Sequence, residues 1–207
     1  MKSVMLSIQP KWCELIASGK KTIEVRKTRP QIETPFKCYI YCTASDVHSC
    51  LVVGGGSAEL FHCCNYKTAF VGGGVVGNGK VIGEFVCDRI ETYDYFIEKP
   101  LDELIEGEYR HYLTCSELDC TCLRATELEK YLDEKDGYGW HISDLKIYDT
   151  PKELREFRKP CKWEEHGEEP DCFICNKSGY TPDMYIDCFN FLTRPPQSWM
   201  FCEVSEC

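Results

Sequence analysis

The sequence predicts an α+β fold: a mostly antiparallel, mixed sheet of short strands flanked by short helices and closing into a small β-barrel. Three observations predict it. Apolar and polar residues alternate over short runs such as "SVMLSIQ" and "TIEVR", the period of a strand facing one core. Helical spacing is confined to brief stretches such as "PKWCELIAS". Hydrophobic residues make up 43% and aromatic residues 13% of the 207 positions, enough for one cored domain.

The first strand is "SVMLSIQ" (3–9), with Val4, Leu6 and Ile8 on one side. "PKWCELIAS" follows as a helix. Pro10 suits its first turn, Trp12, Leu15 and Ile16 share a face, and Gly19 stands where a left-handed residue ends a helix. In "TIEVR" (22–26), Thr22, Glu24 and Arg26 share one strand face and Ile23 and Val25 the other. The apolar pair is expected to pack inward, with Glu24 and Arg26 side by side on the opposite face.

"FKCYIYCT" (36–43) is a third strand. Residues 44–79 form an insertion holding 8 of the 15 glycines, expected as a flexible hairpin or loop. Its triple glycines flanked by valine lack the GxxxxGK[ST] spacing of a phosphate loop. "GKVIGEFVCDRIETYDYF" (79–96) is a long strand. An acidic, largely helical stretch follows, in which "TELE", Thr126 to Glu129, has capping-box spacing. "YGWHISDLKIYD" (138–149) is a strand, "PKELREF" (151–157) a short Pro-started helix, and "SWMFCEV" (198–204) a final strand. The chain reads as a single domain over 1–207, with a Cys-rich segment at 159–190 before that last strand.

No apolar run is long enough to span a bilayer, and Gln9, Lys11 and Glu14 interrupt any signal-like apolar start. A cytoplasmic, soluble protein is expected, and its 16 cysteines then read as reduced thiols or metal ligands. The net charge of −10 argues against loose binding to nucleic acid. Yet residues 1–43 carry a balance of +5 and the remainder −15. A positive N-terminal unit on an acidic body makes either a focused anion site or a surface that pairs across the fold. Five of those basic residues, Lys20, Lys21, Arg26, Lys27 and Arg29, fall within "SGKKTIEVRKTRP" around the single carboxylate of Glu24.

That run fits the GxKxxExR signature of the ASCH domain at Gly19, Lys21, Glu24 and Arg26. The resemblance extends to "SIQPKWCELI", "GKVIGEFVCDRI", "YGWHISDLKIYD" and "LTRPPQSWMFCE", in order, and covers all but the insertion and the Cys-rich segment. The chain thus resembles the ASCH proteins of bacteria and their phages, a branch of the PUA-like superfamily. The resemblance implies a PUA-like small mixed β-barrel with flanking short helices and a cleft floored by the signature. It implies binding of RNA or a nucleotide there. Some members are amidohydrolases that deacetylate N4-acetylcytidine, and others resemble ribonucleases. The amidohydrolases place a threonine nucleophile where this chain has Glu24. A carboxylate is not activated like a hydroxyl for amide attack, so the substitution argues against that activity. It leaves Glu24 as a general base for water or as a reader of amino and hydroxyl groups.

Binding of RNA or a nucleotide is therefore the leading reading, with Lys11, Lys20, Lys21, Arg26, Tyr138 and Trp140 as contacts. A hydrolase of RNA or a modified nucleoside is the alternative, with Lys21 and Glu24 catalytic. A third reading is an adaptor whose acidic stretch, 14 acidic and 5 basic side chains over 91–136, meets a host protein. Tyr138 and Trp140 share a strand face opposite His141. As a stacking platform such a pair is worth about 1–3 kcal/mol per base, and the other reading is barrel core. His141 is a proton-transfer group or a structural histidine.

The Cys-rich segment contains Cys161, His166, the pair Cys172 and Cys175, and Cys188. A CxxC lets two thiolates reach one zinc ion, and a polar stretch gains order from a metal clip. A structural zinc held by Cys161, Cys172, Cys175 and Cys188, with His166 able to replace an outer cysteine, stands beside the reading of unrelated free thiols.

Overall fold

The computed structural model describes residues 3–44, 49–62, 74–93, 115–133, 135–160 and 191–204. The sequence-predicted zinc ligands Cys161, Cys172, Cys175 and Cys188, and His166 beside them, lie outside the described residues.

The chain opens with β1 (Ser3–Ile8), α1 (Pro10–Ala17), β2 (Ile23–Arg26) and β3 (Phe36–Cys42). A small sheet follows: β4 (Ser49–Gly54), β5 (Ser57–His62) and β6 (Val75–Val76). Then come β7 (Val81–Tyr93), α2 (Cys115–Thr121), α3 (Ala125–Leu132), β8 (Gly137–Lys152), β9 (Phe157–Arg158) and β10 (Trp199–Val204). The main sheet has the order β2-β8-β7-β3-β1-β10-β9. It is mixed because β1 runs parallel to β3 while its other pairings are antiparallel. The architecture is α+β, a mixed sheet with short helices packed on it.

The sheet is open rather than a closed barrel, which corrects the expectation of closure. β2 is only four residues long and its chain leaves the sheet at Lys27, too soon to build a ladder with β10. Side chains span the gap instead. Arg26 Nη2 donates to the Ser7 carbonyl at 2.7 Å, and Trp199 Nε1 donates to Thr28 Oγ1 at 2.9 Å.

The core inside the curled sheet holds Val4, Leu6, Ile8, Phe36, Ile40, Phe85 and Trp140, with Cys13 and Ile16 of α1. The glycine-rich insertion is more than a loop. Its hairpin adds Leu51, Val53 and Ala58 to this core, and Glu14 Oε1 of α1 accepts the Leu60 N–H at 2.9 Å. The β4–β5 turn is the two-residue Gly55-Gly56, with φ of 60° and 72°. Positive φ at both positions is the turn that matches strand twist, and glycine adopts it without strain.

Two local readings are corrected. "PKELREF" is not a helix: Pro151 and Lys152 finish β8, and a single 3₁₀ turn, Leu154–Glu156, precedes β9. Pro151 lies late in a strand, where its missing N–H is tolerated at an edge or irregularity. The capping role belongs to Arg124 and Glu127, not to Thr126 and Glu129. Glu127 Oε2 accepts the Arg124 N–H at 2.9 Å, and Thr126 lies inside α3.

Candidate functional site

The site begins with how α1 ends. Gly19 takes φ 72°, its N–H donates to the Ile16 carbonyl, and the Lys20 N–H donates back to Leu15, both within 3.0 Å. This is a Schellman ending. The Lys21 N–H also donates to Leu15, at 2.9 Å, which folds the signature back over the helix. Lys21 is 3% exposed as a result.

β2 pairs antiparallel with β8, so Glu24 faces Trp140, Val25 faces Gly139 and Arg26 faces Tyr138. Directly opposed residues share a sheet face. Glu24 and Arg26 therefore look into the curled sheet beside Trp140, and Val25 looks out. That outward face is not solvent: Val25 packs with Tyr93 and with Leu128 and Leu132 of α3. The apolar face thus packs outward against the helices, the reverse of the sequence expectation, because the α2–α3 layer supplies a second core.

Three charged side chains converge on the inner face. Glu24 Oε1 lies 3.0 Å from Arg26 Nη2, and Glu24 Oε2 lies 3.4 Å from Lys21 Nζ. Lys21 Nζ also donates to the Thr121 carbonyl at 2.6 Å, at the C-terminal end of α2, where backbone carbonyls favour a cation. Arg26 Nη1 reaches Ser198 Oγ at 3.5 Å. Glu24 thus neutralises and orients two cations at once. The cluster keeps a net positive charge, and a carboxylate with both oxygens engaged still has lone pairs for an N–H or O–H.

These three line the floor of a cavity of about 730 Å³. One wall is Trp12, half-buried, with Lys11 Nζ 4.3 Å and Lys21 Nζ 5.2 Å from the ring centroid. Facing walls come from Glu127 and Tyr131 of α3 and from the Pro195–Ser198 segment. That segment is fixed to β1: Ser7 Oγ donates to the Pro196 carbonyl at 2.6 Å, and the Ser7 N–H to Ser198 at 3.0 Å. Glu127 is held below the usual carboxylate range by the Arg124 N–H and guanidinium.

The structure therefore brings Lys21, Glu24 and Arg26 together. Lys11 and Lys20 are exposed, with Lys11 at the rim over Trp12. Tyr138 lies outside this cavity and lines a neighbouring depression. Trp140 is fully buried between Phe36 and Trp199, at ring centroid distances of 5.7 and 6.1 Å, so its stacking role is replaced by packing. His141 Nε2 lies 3.1 Å from Glu91 Oε2, away from the cavity. Trp12 was not legible as a site residue because its place on the first helix reads as core, and Glu127 and Tyr131 were not because α3 meets β2 only through the tertiary fold.

Beside the floor, Cys13 is fully buried. Burial and then the neighbouring Cys42 thiol push it well above its ordinary value, so it stays protonated and is no nucleophile. Cys13, Cys38, Cys42, Cys50, Cys87, Cys120, Cys122 and Cys202 are free thiols. Among the described residues no cluster of three or more His, Cys, Asp or Glu is arranged to hold a metal. Nor is any helix among them long and apolar enough to cross a membrane.

The chain is similar in structure to ASCH from Zymomonas mobilis, at 17% identity and a TM-score of 0.47, covering 96% of this chain and 86% of that one. Two single-substitution variants of that protein match at 16% and 15% identity, each with a TM-score of 0.48, covering 97% and 96% of this chain and 90% and 87% of theirs. No curated protein matches the sequence. The ASCH domain model matches residues 6–192, a span running from β1 to the segment just before β10 and including the whole signature. The chain belongs to the ASCH domain family.

Proposed function

We propose that the cavity over Lys21, Glu24 and Arg26 binds a nucleotide unit of RNA. The observation that carries this reading is the buried cluster itself: two cations and one carboxylate, each less than a tenth exposed, on the floor of an open cavity. Holding such charges away from water is expensive unless each is paired. Here each is paired, yet Lys21 retains an N–H for a phosphate and Glu24 retains acceptor capacity for an amino group. Trp12 and Tyr131 add aromatic walls on which a base can stack. The size falls in the range of small-ligand sites. Family membership supports RNA binding in general terms.

As a hydrolase the same floor would use Glu24 as base and Lys21 as the electrostatic partner of the leaving group. Cleavage of N4-acetylcytidine is not expected, since Glu24 stands where the amidohydrolases carry threonine. The Cys-rich segment is proposed as a structural zinc clip independent of this site.

Chemical-shift mapping with cytidine 5′-monophosphate tests the binding reading. Shifts concentrated at Trp12, Lys21, Arg26 and Tyr131 are expected. Shifts confined to residues remote from the cavity would contradict it.

A further inference from the structure

Beside the cavity lies a second depression of about 650 Å³, lined by the loop Lys27–Glu33 and by Tyr138. We infer that it is a second subsite, taking the backbone and neighbouring base of a single-stranded RNA whose first nucleotide fills the cavity. This rests on the cavity reading above and extends it from a mononucleotide to an oligonucleotide.

The two concavities adjoin along the chain and across the sheet. Arg26 lines the first and Lys27, the next residue, lines the second. Tyr138, in the second, is the cross-strand partner of Arg26. Lys27 Nζ lies 5.5 Å from the ring centroid of Tyr131, a wall of the first cavity. The loop is anchored by the Trp199 Nε1 bond to Thr28 Oγ1, next to Ser198 of the first cavity.

The chemistry alternates cation with aromatic face. Arg29 lies 5.9 Å over the Tyr138 ring, and Lys27 over Tyr131. Both cations are exposed, and neither forms an ion pair among the described residues, whereas Lys37, Lys80, Arg89, Arg124 and Arg158 each do. Among the described residues Glu33 is the one carboxylate lining the depression. In a chain at net −10, two cations without an ion-pair partner among the described residues, beside two aromatic rings and against one carboxylate, form a local positive track. Single-stranded nucleic acid matches this pattern, with phosphate on the cations and bases on the rings or on the Arg29 plane. An acidic peptide has no planar bases for the aromatic faces.

Two probes separate this inference from the cavity reading: uridine 5′-monophosphate and a fluorescein-labelled single-stranded uridine hexanucleotide. The test variant is Lys27→Ala/Arg29→Ala. The control is Lys146→Ala/Arg155→Ala, which removes equal charge at exposed positions lining neither cavity. The test variant should bind the hexanucleotide more weakly, with a log–log salt slope shallower by about 1.4, roughly 0.7 per lost phosphate contact. Its affinity for the mononucleotide should equal that of wild type, and the control should keep the wild-type slope. An unchanged hexanucleotide slope in the test variant, or an equal loss in the control, overturns the second subsite and leaves the cavity reading intact. Competition by a polyglutamate peptide as strong as by unlabelled RNA also overturns it. Failure of the wild type to bind either probe overturns both.

Discussion

Glu24 Oε1 sits 3.0 Å from Arg26 Nη2, and the two side chains are only 9% and 8% exposed. This places a signature residue pair inside the curled sheet instead of on its surface. An ion pair in that setting is worth little more than its desolvation, but breaking it is costly.

Replacing Glu24 by Gln leaves Lys21 and Arg26 buried with only carbonyl and hydroxyl partners. The expected loss of stability is about 3 kcal/mol, in the range for removal of one partner of a buried pair. Urea unfolding measures it. A loss under about 0.5 kcal/mol would be the behaviour of an exposed pair and would show that water reaches the floor freely.

Gly139 is the position that lets the Tyr93 ring lie across β8 in the outer core. A Cβ built there collides with the Tyr93 hydroxyl and meets ring carbons at 2.5 and 2.7 Å. Gly139→Ala should cost about 2 kcal/mol as overpacking. In the double variant with Tyr93→Leu, the combined loss should be smaller than the sum of the two single losses, as for residues in contact. Full additivity in a double-mutant cycle would show that the two do not touch.

The first strand, the first helix and the signature were legible because their information is local. Period-two alternation marks β1 and β2, Pro10 opens α1, and Gly19 closes it. The convergence of Lys21, Glu24 and Arg26 follows from that local geometry. What β2 packs against was not legible. The α3 residues Leu128 and Leu132 cover Val25 only because the chain returns after a long excursion, so the inward and outward faces were exchanged. "PKELREF" misled for a related reason. β8 runs on through Pro151, and pairing of Lys152 with Val81 overrides the helix-start signal of a proline followed by Lys-Glu-Leu. Closure of the barrel depends on strand length at one edge, which periodicity does not report.

Glu84 gives the fold a dependence on acid. Partial burial pushes its carboxyl up, but the Tyr148 hydroxyl at 2.7 Å and the Lys37 ammonium at 3.1 Å outweigh burial, and the net shift is downward. A lowered carboxylate contributes stability above its unfolded value of about 4.3, and that contribution fades as pH falls through the folded value. Urea midpoints taken from pH 6 to pH 3 should therefore fall less steeply for Glu84→Gln than for wild type. Parallel curves would remove this pair from the acid response.

The Cys-rich segment should hold about one zinc per chain when purified without added metal. A crosslink between Cys161 and Cys188, with Cys172 and Cys175 between them, would shorten the free length of the polar sequence between β9 and β10. Cys172→Ser should lose the metal and become protease-sensitive between residues 159 and 190, while RNA binding at the cavity persists. A metal-free wild type resistant to protease in that segment would contradict the clip.

If RNA enters the cavity over the signature floor, titration of a single-stranded RNA at several salt concentrations reads it out. Wild type should bind, and Lys21→Ala and Arg26→Ala should each lose affinity with a salt slope shallower by about 0.7 for each phosphate contact removed. Trp12→Leu keeps every hydrogen bond of the floor and should weaken binding by about 1–3 kcal/mol if its ring stacks a base. Each variant is read against its own unfolding curve, so that lost binding is separated from lost fold. Equal affinity and equal slope for wild type and all three folded variants would show that RNA does not enter this cavity.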